Sequence, residues 1–415
     1  MLFEGEKIDW MKKTPEDMRI SDDEINKKYL AGEVRIVTEQ ARYPLDTIRG
    51  MIDSGKYELM PSFQRRHRWS VVKKSRLIES FIMNVPIPPV FLYENEYSHY
   101  EVMDGLQRMT AINEFYLDKF ALTGLEQWPE LNGKVYSTLP EKIRQGIDRR
   151  YLSSIILLHE SAKDPKKAQE MKQLVFERIN SGGVKLERQE TRNALYDGPM
   201  NQLCATLSRN KYLCLLFRIP NKESIDMAQL HFDFWDDMQD EQIDEQIESQ
   251  LDKNPLYTSM TDIELVLRYF ALRNLEGYTY EFHDFLDDYL IISNKFDTEL
   301  LQKLKAKFEE TILFAYELFA EKAFYLWRPR KTKHGETWKW FERSTTTVYD
   351  PLMYVLSEIV SHKAFYITNS EQIRRDITTM YEKNYAIFEG RNSNRSDIER
   401  RITAYQEFFN QYNEA

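Results

Sequence analysis

An α+β domain followed by a predominantly helical one is the fold class this sequence predicts, and three observations carry the prediction. First, the 415 residues contain only 14 Gly and 14 Pro, about 7% together against a usual ~12%. So few breakers imply long uninterrupted elements and argue against a many-stranded sandwich or barrel. Second, short apolar runs bounded by breakers, such as Val90–Tyr93, fall within the first two hundred residues. Third, after Tyr196 such runs nearly vanish, and Leu, Phe, Tyr and Met recur at spacings of three and four. With 42% hydrophobic and 30% charged residues, the chain is neither disordered nor collagenous.

The elements follow in order. Residues 1–40 are polar and charged, with one amphipathic stretch at Ile20–Tyr29, and read as an arm or peripheral helices. A nucleotide-binding domain is expected over 41–197 and a helical domain over 198–415. Tyr43–Asp53 reads as a helix, with Leu45, Ile48 and Met51 three apart, and Lys56–Pro61 as a short strand. Ser70 is a good N-cap for a helix through Asn84. Pro86, Pro88 and Pro89 stop that helix, and Val90–Tyr93 reads as a buried strand. Tyr100–Met103 is a second strand, leading through Asp104-Gly105 into a helix over Leu106–Phe120. Ser153–Leu158 is a third core strand, and Lys166–Ile179 and Leu186–Tyr196 are helices flanking Ser181-Gly182-Gly183. Beyond Tyr196, helical spacing runs through Met200–Phe217, Ile263–Ala271, Leu300–Phe319 and Pro351–Ser361. The segment Glu223–Asp252 carries eleven Asp or Glu and no Lys or Arg, and reads as a solvated acidic stretch.

Charge and motifs exclude several functions. The formal net charge is −10, so no whole-molecule basic field draws in nucleic acid, and only local basic faces can serve. Cys204 and Cys214 match no metal spacing, and a reducing, cytoplasmic compartment is expected. The residues Met1–Lys7 have no signal-peptide shape. No apolar run approaches the ~18–20 residues that cross a bilayer. No Gly-x-x-x-x-Gly-Lys-Ser/Thr phosphate loop (Gly55-Lys56 and Gly133-Lys134 have the wrong flanks), His-Glu-x-x-His zinc site or Gly-x-Ser-x-Gly elbow occurs, and the seven histidines are scattered. The conventional catalysts are absent.

Three other clusters stand out. Phe63-Gln64-Arg65-Arg66-His67-Arg68-Trp69 places three arginines in four residues just before a capped helix. It reads as an anion-binding loop or as a surface loop with structural ion pairs. In Tyr100–Thr110 a strand runs into Asp104-Gly105, and the next helix carries Gln107 and Arg108 in its first turn. The free N–H groups of that helix start suit a phosphate, and Asp104 either caps the helix or holds a cation through water. The third cluster, Val175–Leu186, breaks at a Gly-rich turn; Arg178 and Asn180 either face a ligand or mark an ordinary helix–turn–helix connection. In the second half, Arg328, Arg330, Lys331 and Lys333, followed by Trp338, Lys339 and Trp340, form a basic aromatic patch. This patch either binds nucleic-acid phosphates and stacks on bases, or is a solvated loop beside core tryptophans.

Taken in order, Phe63-Gln64-Arg65 with Trp69, Ile87-Pro88-Pro89, Asp104–Arg108 and Phe176-Glu177-Arg178-Ile179-Asn180 resemble the GmrS-like domain. That domain is the N-terminal part of GmrSD-type, modification-dependent restriction systems, in the ParB/sulfiredoxin-like superfamily. The resemblance covers residues 40–200 and implies a ParB-like fold that binds and hydrolyses a nucleoside triphosphate, with Mg²⁺. By position it implies that Asp104, Gly105, Gln107 and Arg108 line the phosphate site and that Gln64 and Arg65 reach in. Arg65 and Arg108 would hold phosphate, Gln107 would position water, and Asp104 would orient the helix or the cation. Leu106 departs from the pattern, standing where the family usually has a Gln. The stretch from Gly390 to Ala415 holds no histidine, so the His-based nuclease module often fused to or paired with this domain is not expected in this chain: either a separate subunit cuts, or the protein does not cut nucleic acid. The expected function is that of a triphosphate-hydrolysing component of an anti-phage DNA restriction system; the alternative is a non-hydrolysing DNA-binding or regulatory adaptor. No membrane association is expected, and assembly with further copies of the chain is left open.

Overall fold

A computed structural model of the chain describes residues 2–8, 10, 26–27, 38–58, 69–158, 171–172, 174–176, 178–179, 187–223, 247–278, 281–332, 335–390 and 393–413. The chain divides into two units: residues 13–186 form one, and residues 1–12 with 187–415 form the other.

The first unit is α+β. Its strands β1 (Thr38–Pro44), β2 (Tyr57–Glu58), β3 (Val90–Glu96), β4 (His99–Asp104) and β5 (Tyr151–Leu157) form one sheet in the order β1-β5-β3-β4-β2. β1 lies antiparallel to β5, β5 parallel to β3, β3 antiparallel to β4, and β4 parallel to β2. Helices α1 (Ile48–Asp53), α2 (Val71–Ile82), α3 (Leu106–Tyr116) and α4 (Glu141–Asp148) belong to the same unit. Ser70 caps α2 as its sequence predicts, accepting a bond from Lys73 N–H at 3.3 Å. The core gathers Ile78 and Phe81 of α2, Met109, Ile112 and Phe115 of α3, Leu92 of β3 and Ile156 of β5.

One element differs from expectation. Tyr43 and Pro44 end strand β1, and a single 3-10 turn at Leu45–Thr47 precedes α1. β1 is an edge strand of sequence Thr-Glu-Gln-Ala-Arg-Tyr-Pro, exposed or half-buried along its length. Edge strands tolerate charge and proline, so no apolar alternation announces this one.

The second unit is helical: α5 (Arg188–Leu195), α6 (Pro199–Leu207), α7 (Lys211–Phe217), α8 (Thr261–Arg273), α9 (Phe282–Ser293), α10 (Thr298–Phe319), α11 (Thr346–Ile359), α12 (Ser370–Phe388) and α13 (Arg395–Asn413). Apart from Thr261 and Glu264, every residue of α8 is buried, as expected of a helix surrounded by others. Two boundaries shift relative to the sequence reading. The first residues are part of this unit: Glu6 is fully buried and bonds Arg273 at 2.6 and 2.8 Å, and Trp10 lies 5.3 Å from Phe285. The unit resumes at Glu187 because Arg192 of α5 is 1% exposed and pairs with Glu264 (2.7 Å) and Asp287 (2.5 Å). A hairpin, β6 (Leu326–Thr332) with β7 (Gly335–Phe341), interrupts the helices where a basic patch or solvated loop is expected.

Among the described residues, no helix is long and apolar enough to cross a membrane.

Candidate functional site

The turn between β4 and α3 is where the first unit concentrates chemistry. Gly105 is the N-cap of α3 and adopts φ +100°, ψ 6°, a left-handed conformation that only glycine takes without penalty. Packing requires glycine as well: a Cβ here would lie 2.3 Å from Val90 Cγ1 and 2.9 Å from Val90 Cβ. With Val90 against the turn, the start of β3 and the end of β4 lie side by side, Phe91 pairing with Asp104.

Arg108 is held from two sides. Its Nη2 donates to Asp104 Oδ2 at 2.8 Å and to the Pro89 carbonyl at 3.2 Å. The Asp104 and Arg108 side chains are 31% and 14% exposed. Arg108 Nε is buried with no hydrogen-bond partner. Among the described residues, Arg108 Nη1 and Asp104 Oδ1 also have no protein partner. No side chain caps α3, so its first-turn N–H groups remain available to an anion. Asp104 is a single, ion-paired carboxylate, and no group of three or more metal-ligating residues occurs among the described residues.

Gln107 faces a neighbouring helix start. Its Oε1 accepts from Trp69 N–H at 3.2 Å, linking the beginnings of α2 and α3. Lys73, exposed on the first turn of α2, lies 4.6 Å above the Trp69 ring. Leu106 packs against the apolar core of the unit.

Of the first cluster, Gln64 and Arg65 lie outside the described residues, as does Asn180 of the third. Arg178 is exposed in a helical segment. That segment is tied to the strands of the turn: Lys172 bonds Glu101 of β4 at 2.6 Å, both side chains 11% exposed, and lies over the Tyr93 ring of β3. In the second unit, Arg328 and Arg330 stand on β6; Lys333 and the side chain of Lys331 lie outside the described set. The tryptophans beside them are packed against α12 and are not presented for stacking: Trp327 Nε1 donates to Glu382 at 2.8 Å, and Trp338 meets Tyr385 edge-on at 5.5 Å.

Sequence reasoning missed the Pro89 carbonyl, the Val90 contact and the Lys172–Glu101 pair. The run Pro88-Pro89-Val90 held no signal of this: every residue carries a carbonyl, and it is the pairing of β3 with β4 that brings that of Pro89 beside Arg108.

Residues 47–196 match one family model, that of the GmrSD restriction endonuclease, N-terminal domain. The match spans α1, the Asp104–Arg108 turn and α5, and places this segment with a module of restriction systems. No curated protein and no solved structure matches the chain.

Proposed function

We propose that the first unit binds a nucleoside triphosphate at the Asp104–Arg108 turn, and that this binding governs a restriction response against phage DNA. One observation carries the reading. Among the described residues, a glycine-opened strand-to-helix turn brings together uncapped helix N–H groups, an arginine with an unpartnered Nη1 and a carboxylate with an unpartnered Oδ1. Phosphate oxygens suit the first two, and the third suits a cation carried in with the phosphates. Mg²⁺ commonly takes one or two carboxylates plus substrate phosphates, so a single Asp104 fits that role. The cation would neutralise phosphate charge; Arg108 would orient the phosphates, and Lys73 adds a cation on the adjacent helix start. Gln64, Arg65, Arg178 and Asn180 belong to the same proposed site through the family pattern. Cleavage of DNA then belongs to a separate nuclease subunit, and a cytoplasmic location fits this role.

Hydrolysis is the finer part of the proposal, with Gln107 positioning water. Leu106 favours the second reading, a non-hydrolysing adaptor, because its side chain is spent in the core. Isothermal calorimetry with Mg²⁺ and each of the four triphosphates tests binding. Arg108→Ala should weaken it about 10- to 100-fold, the equivalent of one charge-assisted bond; equal affinity in a folded variant overturns the assignment. Phosphate release by the wild-type chain, abolished in the variant, separates enzyme from adaptor.

A further inference from the structure

The β6–β7 hairpin has two unlike faces. Residues two apart along a strand share a face, so Trp327 stands with Trp338 and Trp340. This face is turned onto α12, with Trp340 meeting Tyr381 at 6.2 Å. The opposite face carries Arg328, Arg330, Thr337, Lys339 and Phe341. Arg330, Thr337 and Lys339 are exposed, and half-buried Arg328 lies 3.9 Å above the Phe341 ring.

On that face Arg328 stands directly opposite Lys339, and Arg330 is one step along. Like charges directly opposite each other destabilise a ribbon. Among the described residues, none of the three has an acidic partner within 4.0 Å. The acidic residue of the hairpin, Glu336, alternates to the tryptophan face in register with Lys331. Repulsion retained on an outward face, with no carboxylate of the described residues within 4.0 Å to relieve it, matches a polyanion.

We infer that this face binds the phosphate backbone of double-helical DNA through Arg328, Arg330 and Lys339, without reading its sequence. A two-stranded ribbon is narrow enough to enter the ~12 Å major groove, and the three cations lie within one strand spacing and one two-residue step of each other. The choice of DNA over other polyanions rests on the restriction reading above; the cationic face does not. Because the tryptophans are turned onto α12, base stacking plays no part.

Fluorescence anisotropy of the full chain against a labelled duplex, without nucleotide, tests this. Three phosphate contacts give a log–log salt slope of about −2.7, an affinity loss of about 40-fold between about 50 and about 200 mM salt. The variant R330A/K339A, altered only at exposed positions, should lower the slope to about −0.9, while R330K/K339R should bind as the wild type does. Two unrelated duplexes should bind equally, and tryptophan emission should not change. An unchanged slope in R330A/K339A, no binding by the wild type, or tighter binding of a structured RNA overturns the inference. The Arg108→Ala protein separates the two proposals: retained DNA affinity beside lost triphosphate binding leaves both standing, and retained DNA affinity beside intact triphosphate binding refutes only the nucleotide site.

Discussion

Gly105→Ala distinguishes what the turn does for the fold from what it does for a ligand. Alanine at φ +100° costs about 1–2 kcal/mol in backbone strain alone. Its Cβ would meet Val90 Cγ1 at 2.3 Å, and Val90, at 1% exposure on β3, has nowhere to retreat. Such overpacking costs a further ~1–3 kcal/mol. The sum, about 2–5 kcal/mol, lowers the melting temperature of a unit this size by about 4–20 °C. Scanning calorimetry of the full chain reads the transition, and Val90→Ala completes a double-mutant cycle. Val90→Ala alone leaves a cavity, but in the double variant the new Cβ takes part of the space vacated by Cγ1. The two changes should therefore couple favourably by about 0.5–3 kcal/mol. Strict additivity would refute the steric argument. If Gly105→Ala melted with the wild type and lost only triphosphate affinity, glycine would be present for ligand approach and not for packing.

Two further outcomes follow from the second unit. Arg192→Met strips the half-buried Glu264 and Asp287 of a shared, fully buried partner, and breaking a pair of this kind costs up to about 3–5 kcal/mol when both charges are buried; urea unfolding of the variant should show a loss toward the lower end of that range, and Arg192→Lys a smaller one. His283 is held below its usual range by burial, an effect the Glu264 carboxylate partly offsets while Arg192 adds to it. The unfolded chain therefore takes up this proton first, and stability falls as pH drops from about 6.5 through the depressed value. Asp287, raised chiefly by burial, acts with opposite sign in the carboxylate range, where acidification favours the folded form. Melting temperatures across this pH range should be flatter in His283→Asn; an identical profile would refute the assignment.

How much of this was legible in the sequence depends on the range of the interaction. Ser70 acts on chain within four residues of itself, so its cap could be read from neighbours, whereas Gly105 is also fixed by Val90, fifteen residues away in sequence. The Asp104–Arg108 pair followed from the strand-to-helix turn, as residues four apart meet on one side of a helix start, while the bond from Trp69 to Gln107 did not. β1 was hidden because its inward face offers only Ala41 and Tyr43, half-buried against the core, too few to show an apolar alternation. The hairpin had a period-2 signal in Trp327-Arg328-Pro329-Arg330 and Trp338-Lys339-Trp340, masked by a proline and by basic residues that read as loop. Least legible were the partners of the buried arginines. Arg192 finds Asp287 and Arg268 finds Asp350 across 95 and 82 residues, and no local pattern separates them from exposed arginines such as Arg375. Burial turns the same side chain from a solvated charge into an obligatory pair, and burial is a property of the packed helices around α8. The same reasoning applies to the outward cations of the hairpin. Sequence marked Arg328 and Arg330 as basic, but only the register with Lys339 and the inward tryptophans show that the outward face offers cations and no indole ring for stacking.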